Sequence, residues 1–398
     1  MANKQKKEIN KKSIVLIAVL ILIAGSIYHL NAQKDSVSQS GDKGEAAESD
    51  SNLDKQTTAK PEGYIKDKKA VKQKEKLYQM APELTGISGY INTNNTLTIG
   101  SLKGKVVLVD FWTYTCINCI RTLPYLKAWH EKYNDDGLAI IGVHTPEFEF
   151  EKKYENVLDA VGKYEIKYSV VQDNDYSTWR AYSNRYWPHK YLVDIDGFIR
   201  YDHIGEGRYE ETEKMIQELL EERMQRTGNN IINEDIAEPN VTVDVDFGKV
   251  GTPEIYLGYG FARGNFGNKE GLQAEQIIDY KLPEIIKPNN IYLEGRWKIS
   301  KDNSELVGDE GRIFLGYDAK VVNIVSSSEQ GSEIEVFLDS QSLNEPKSGI
   351  DIKITSGKSI AAINEGRLYN LIDNEYGTGL LELKIDGKGF KIYAFTFG

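Results

Sequence analysis

The chain has 398 residues, 49 Lys and Arg against 60 Asp and Glu, a net charge of −11 and two cysteines. That length exceeds one ordinary domain and predicts two or three units. An acidic chain without a basic, aromatic-laced stripe argues against nucleic acid as a partner.

The N-terminus runs against this balance. Lys4, Lys6, Lys7, Lys11 and Lys12 make residues 1–12 a basic cytoplasmic segment, and an apolar stretch follows from Ile14 to Tyr28. At 1.5 Å per residue, a helix over 13–30 covers about 27 Å, enough to cross a hydrocarbon core with its ends snorkelling. The lysines stay inside. A cleaved signal peptide is the alternative, but Leu30-Asn-Ala32 is a poor cleavage site and no cysteine follows that would carry a lipid. The expected localisation is the cell membrane, single-pass, with the soluble part extracytoplasmic, where thiols meet oxidants. Residues 31–76 are rich in Ser, Asp, Glu and Lys and read as a disordered linker.

From Ala81 the chain alternates strands and helices. Leu97-Thr-Ile and Val106–Asp110 read as early strands and Leu138–Val143 as the next buried one. A helix over about 150–164, a strand at Tyr168–Val171 and a helix over about 176–184 follow. Lys190–Asp194 and Phe198–Tyr201 flank Asp196-Gly197, a hairpin signal, and a closing helix runs from Glu210 to about Met224. This succession predicts an α/β domain over 77–225.

Cys116 and Cys119 come just after the β-branched run at 106–110. Beyond them Ile120, Leu123, Leu126, Ala128 and Trp129 recur at near-helical spacing, which places the pair on the first turn of a helix. Unpaired N–H groups and the macrodipole favour an anion there. The anion is expected to be the thiolate of Cys116, the nucleophilic form, with Cys119 spaced to resolve a mixed disulfide. Three readings compete with redox chemistry. Half of a zinc site lacks its partner, since no second C-x-x-C and no His-x3–5-His exists, so no metal is expected. A structural staple would close too short a loop to constrain the unfolded chain. Thr113-Tyr-Thr-Cys116 matches the core of a thiol peroxidase motif, but Val109 stands where that motif has proline. No cofactor is expected.

The run Phe111-Trp-Thr-Tyr-Thr-Cys-Ile-Asn-Cys-Ile-Arg-Thr-Leu-Pro124 is joined by Gly142-Val-His-Thr-Pro-Glu-Phe148 and Tyr186-Trp-Pro188. Arg200-Tyr-x-His-x-Gly-Glu-Gly207 and Gly251-Thr-Pro-Glu-x-Tyr-Leu-Gly-Tyr259 extend the pattern. Together these motifs resemble the TlpA/ResA-like branch of the thioredoxin fold and, most closely, the extracytoplasmic part of the DipZ family. The resemblance implies a thioredoxin-like thiol:disulfide oxidoreductase in which Cys116 and Cys119 form the redox-active disulfide. It implies that Asp110 accepts the proton of Cys119, and a carboxylate ending an apolar strand should have the raised pKa this needs. Pro188 is implied to be a cis-proline facing the cysteines, with the backbone of Trp187 open to an extended substrate. Trp112 and Tyr114 are expected at the rim of the nucleophile. His144 and Glu147, at the carboxyl end of a strand, are candidates for tuning the thiols. Members of this family often carry a multi-span, electron-conducting membrane domain, whereas a single span is read here. Electrons are therefore expected from a separate membrane donor, and exported cysteine-containing proteins are the expected substrates, reduced rather than oxidised.

A polar linker over 226–246 contains Asn229-Asn230 and Glu238-Pro239. From 247 to 398 the pattern switches to period two. Ile334-Glu-Val-Phe-Leu338, Ile350-Asp-Ile-Lys-Ile354 and Leu381-Glu-Leu-Lys-Ile385 predict an antiparallel β-sandwich, and Phe390–Phe397 a final strand. The resemblance implies a carbohydrate-binding-module-like domain. Tyr256, Tyr259, Phe261, Trp297 and Tyr317 are candidates for a sugar platform, set against the plainer reading that they are core and that the domain docks substrate or acts as a spacer. The competing functional class is a surface-binding protein in which this sandwich does the work.

Overall fold

The computed structural model describes residues 67–228, 235–239, 242 and 245–398. The expected basic segment, the anchor at 13–30 and residues 31–66 of the expected linker lie outside the described residues. Among the described residues no helix is long and apolar enough to cross a membrane.

Residues 68–74, read as linker, form a helix (α1, Lys68–Lys74) capped by the Asp67 carboxylate, which accepts from the N–H groups of Lys69 and Ala70. Lys74 is buried, its ammonium 2.7 Å from Asp194, 2.8 Å from Asp196 and against Glu222. Arg200 and Arg226 hold the same carboxylates. A lysine-rich segment promises little apolar burial, but this one docks through a charge network that leaves no buried charge unpaired.

The first domain has six strands, Gly89–Ile91 (β1), Val106–Trp112 (β2), Leu138–His144 (β3), Ser169–Gln172 (β4), His189–Val193 (β5) and Ile199–Ile204 (β6), in the order β1-β4-β3-β2-β5-β6. β2, β3 and β4 are parallel, and β1, β5 and β6 pair antiparallel. Its helices are Ile117–Tyr133 (α2), Tyr154–Lys163 (α3), Ser177–Ala181 (α4) and Tyr209–Thr227 (α5). Every residue of β2 is buried, as a central strand covered on both faces requires. Val106, Leu108 and Trp112 join Leu123, Val157 and Ile216 of α2, α3 and α5, while Val107, Val109 and Phe111 pack on Trp179 and Tyr182. Alternation along the strand therefore puts Asp110 on the face beneath α2. The expected strand at Leu97-Thr-Ile is corrected. Thr98 and Ser101 each accept from the other's backbone N–H, which folds the segment into a turn, and Gly89–Ile91 takes the sheet edge instead.

The second domain is all-β. Its strands are Ile255–Tyr256 (β7), Ile277–Tyr280 (β8), Ile291–Ile299 (β9), Ser304–Asp318 (β10), Val321–Ser327 (β11) and Ser332–Leu338 (β12). Gln341–Ser342 (β13), Lys353–Thr355 (β14), Lys358–Ile363 (β15), Arg367–Asp373 (β16), Thr378–Asp386 (β17) and Lys391–Phe397 (β18) complete it. The expected pair of separate sheets is corrected to one twelve-stranded sheet, a half-barrel. β10 is the reason. It is 15 residues long, its register against β9 shifts between Leu306 and Gly311, and its start pairs with β18 while its remainder pairs with β17. One strand thus serves both walls around a core that includes Leu315, Ile324, Tyr369, Leu383 and Phe395. The expected strand at Ile350–Ile354 shrinks to Lys353–Thr355, and Ile350 stands on a turn, 91% exposed.

The candidate aromatics mostly take the plainer role, and only Tyr259 among them is exposed, at 39%. Trp297 and Tyr317 are core, and Tyr256 and Phe261 pack against Phe148 of the first domain. This contact belongs to a cluster that joins the domains: Phe148 and Phe150, from the segment after β3, meet Tyr256, Phe261 and Tyr393.

Candidate active site

The C-terminal end of β2 runs through Thr113, Tyr114 and Thr115 into Cys116, the N-cap of α2. The sulfur does what a serine hydroxyl does at other caps: Cys116 Sγ accepts from the Cys119 N–H at 3.3 Å. Both cysteines are free thiols, Cys116 half-buried and Cys119 only 1% exposed. Burial, together with the neighbouring Cys116 sulfur, pushes the Cys119 thiol well above its ordinary range. The pair is asymmetric. One sulfur is reachable, and the other lies behind it.

A cluster of buried polar side chains lies near Cys119. Asp110 is 1% exposed, its Oδ1 has no hydrogen-bond partner, and burial pushes its pKa up to about 7 against the pull of the Lys190 ammonium. Lys190 lies opposite Asp110 in the β2–β5 register, is fully buried, and donates to the Gly205 carbonyl at 2.9 Å. Burial pushes its pKa down, while Asp110 and Cys119 both act to raise it. The Tyr168 hydroxyl, also without a partner, belongs to the same cluster, and burial with Asp110 and Cys119 nearby keeps the phenol neutral. An unpaired buried carboxylate that titrates near neutrality beside a buried thiol can take and return a proton.

A second carboxylate fixes the loop before the nucleophile. Glu151 is fully buried, and its Oε1 accepts from Thr113 Oγ1 at 2.6 Å and Thr115 Oγ1 at 2.5 Å. Its Oε2 accepts from the N–H groups of Glu147 at 2.5 Å and Phe148 at 2.9 Å. Four donors on one carboxylate make the approach to Cys116 rigid. Neither Lys190 nor Glu151 stood out in the sequence. The available signal was a lone cation in the buried run His189–Val193, and an acidic residue in the polar stretch after Phe148.

The expected substrate side is built as follows. The Trp187–Pro188 peptide is cis, Pro188 is buried, and its carbonyl accepts from the Gly205 N–H at 2.8 Å. Trp187 is half-buried, packs on Trp179 with ring centroids 4.3 Å apart, and donates its ring N–H to the Thr145 carbonyl at 3.0 Å. Arg121 ties α2 to the loop after β6 by donating twice to Glu206, and also donates to Asn118 on its own helix.

Three expected site residues stand elsewhere. Trp112 is fully buried, edge-on to His144, so it shapes core and not rim, because strand alternation turns it inward beside Leu108. His144 is also fully buried, stacked on Tyr114 and 3.3 Å from Thr113 Oγ1, and desolvation pushes its pKa down to about 3. It is a neutral core imidazole. Glu147 turns to the second domain, where the Tyr256 hydroxyl lies 2.7 Å from it and 2.9 Å from Glu254. Burial and those neighbouring acids push the Glu147 carboxyl up to about 8.

Residues 79–220 match the Redoxin family model, and residues 252–398 match the Thioredoxin like C-terminal domain. Over 324 residues, 80% of its length, the chain is 35% identical to Protein DipZ of Mycobacterium tuberculosis, and it spans 43% of that protein. Thiol-disulfide oxidoreductase YkuV of Bacillus subtilis is 29% identical over 148 residues, 37% of this chain and 98% of the relative. The solution structure of a thioredoxin-like protein in the oxidised form aligns over 37% of this chain and 98% of its own, with 29% identity and a TM-score of 0.34. The chain is a homologue of Protein DipZ over 80% of its own length, with a redoxin domain followed by a thioredoxin-like C-terminal domain.

Proposed function

We propose that the protein is a membrane-anchored, extracytoplasmic thiol:disulfide oxidoreductase that reduces disulfides of exported proteins through Cys116 and Cys119. The observation that carries this reading is the asymmetric pair, a reachable Cys116 Sγ at a helix N-cap with a buried Cys119 and an unpaired Asp110 behind it. The Cys116 thiolate attacks one sulfur of the substrate disulfide, and the other substrate sulfur leaves as a thiol after taking a proton. Cys119 then passes its proton to Asp110 and attacks Cys116 Sγ. The mixed disulfide breaks, the substrate leaves with two thiols, and the protein holds a Cys116–Cys119 disulfide. A separate membrane-bound dithiol donor returns the two electrons by the same exchange in reverse. The apolar run at 13–30 is the anchor that keeps the soluble part beside that donor.

Insulin reduction with dithiothreitol tests the chemistry. Wild type should accelerate it and Cys116→Ser should not, and equal rates would end this reading. The reduction potential tests direction, since a reductant should lie near about −270 mV or lower and an oxidant near about −120 mV.

A further inference from the structure

One cleft in the molecule runs from the first turn of α2, beside Cys116 in sequence, to the other domain. Its volume is about 470 Å³, within the roughly 300–1,000 Å³ of ligand-binding clefts. One wall is the first two turns of α2, with Ile117 between the two cysteines, Ile120 directly after Cys119, and Leu123. The facing wall is the β11–β16 edge of the half-barrel, with Val321, Leu368 and the turn residue Ile350. Ile117, Ile120 and Leu368 are half-buried and Ile350 is 91% exposed, so both walls offer apolar surface to a visitor. The lining carries both signs, with Lys127 and Lys163 against Glu165 and Asp373 and the Arg121 charge already paired with Glu206, so net charge selects nothing. The lining has one aromatic ring, Tyr164, and therefore no stacking platform for a sugar.

We propose that this interdomain cleft is a docking groove for an apolar stretch of polypeptide next to the disulfide being reduced, and that the C-terminal domain thereby sets substrate preference. This rests on the oxidoreductase reading. Ile117 follows Cys116 directly at the start of α2, so a chain lying against Ile117 and Ile120 lies along the helix end that presents the reacting sulfur. Apolar side chains that leave water on both walls give affinity without any new charge contact. The half-barrel is then a selector, because one wall of the groove exists only when the two domains are packed together.

The test uses two fluorescein-labelled peptides, each with one intramolecular disulfide, flanked by Leu and Val in one and by Ser and Asn in the other. Binding is read by anisotropy on the full chain, and reduction is followed in parallel. The apolar peptide should bind wild type at least about tenfold tighter than the polar one, the range expected for burying one large aliphatic side chain. Ile350→Asp should remove that preference, and Ile285→Asp, a residue 73% exposed and outside the cleft, should keep it. Equal affinity of wild type and Ile350→Asp for the apolar peptide would overturn the proposal. So would a wild-type dimer in sedimentation that Ile350→Asp dissolves, because a second copy would then be the occupant. Apolar binding that depends on Ile350 without any reduction would sink the oxidoreductase reading and leave the groove. Reduction that ignores Ile350 would do the reverse.

Discussion

The two domains differ in how many buried polar atoms they leave without a partner: among the described residues the half-barrel has two, on Glu270 and Asn303, and the redoxin domain seven. In the half-barrel, Asn268 is 5% exposed yet donates to the Lys281 and Leu293 carbonyls and accepts from the Leu293 N–H, and Ser304 Oγ donates to the Leu257 carbonyl at 2.7 Å. In the redoxin domain Asp110, Trp112, His144 and Tyr168 each keep a buried polar atom without a partner, and of these Asp110 and Tyr168 lie near the buried Cys119 thiol. Satisfied groups hold a shape. Unsatisfied ones raise the energy of the folded state and persist where a reaction uses them.

Asp110→Asn should break this contrast most. Its carboxyl titrates near 7 in the fold against an ordinary value of 3.8, so the folded state holds a proton that the unfolded chain releases. Wild-type stability is therefore lost as pH rises from about 4 through 7 and levels off above. The Asn variant escapes that loss and should be more stable by up to roughly 4 kcal/mol at pH 8 in urea melts. The same change should slow clearance of a Cys116 mixed disulfide by about 10²-fold and remove the inflection near pH 7 from its rate profile. Clearance at the wild-type rate would take Asp110 out of the mechanism.

Glu151→Ala sharpens the contrast from the other side, because Glu151 is a satisfied buried group within the redoxin domain. Its loss strands two threonine hydroxyls and two backbone N–H groups and should cost about 3 kcal/mol. Insulin turnover should also drop, since the loop before Cys116 loosens. A stable variant with full turnover would show that this clamp does not position the nucleophile.

Asn268→Ala should cost about 1–3 kcal/mol and leave turnover unchanged on folded protein, as expected of a group that only holds shape. Tyr256→Phe should have the smallest effect, about 1 kcal/mol, by removing the hydroxyl between Glu147 and Glu254. A larger change in turnover than in stability would mean that the interdomain contact reaches the thiols.

Much of the fold was legible because its signals are local. The run Val106–Trp112, the helical spacing after Cys119, the Asp196-Gly197 turn and the period-two strands at 332–338 and 381–385 each carry their own pattern. The readings that needed revision depended on partners far along the chain. α1 exists because Lys74 meets acids 120 and more residues away. Whether Trp112 was rim or core depended on the helices that cover β2.

The thiol pair, the strand-to-helix junction that presents it, and a carboxylate one strand position before Phe111 follow from the residues in chain order, because backbone periodicity and local composition specify these. That Lys190 faces Asp110, that Glu151 clamps the loop before Cys116, that Glu147 serves the domain contact, and that a half-barrel walls one side of the cleft emerge only once the chain is packed. Those outcomes rest on register, on the curl that β10 gives its sheet and on the packing of one domain against the other. Each is a long-range pairing whose partners leave no mark on each other's local sequence.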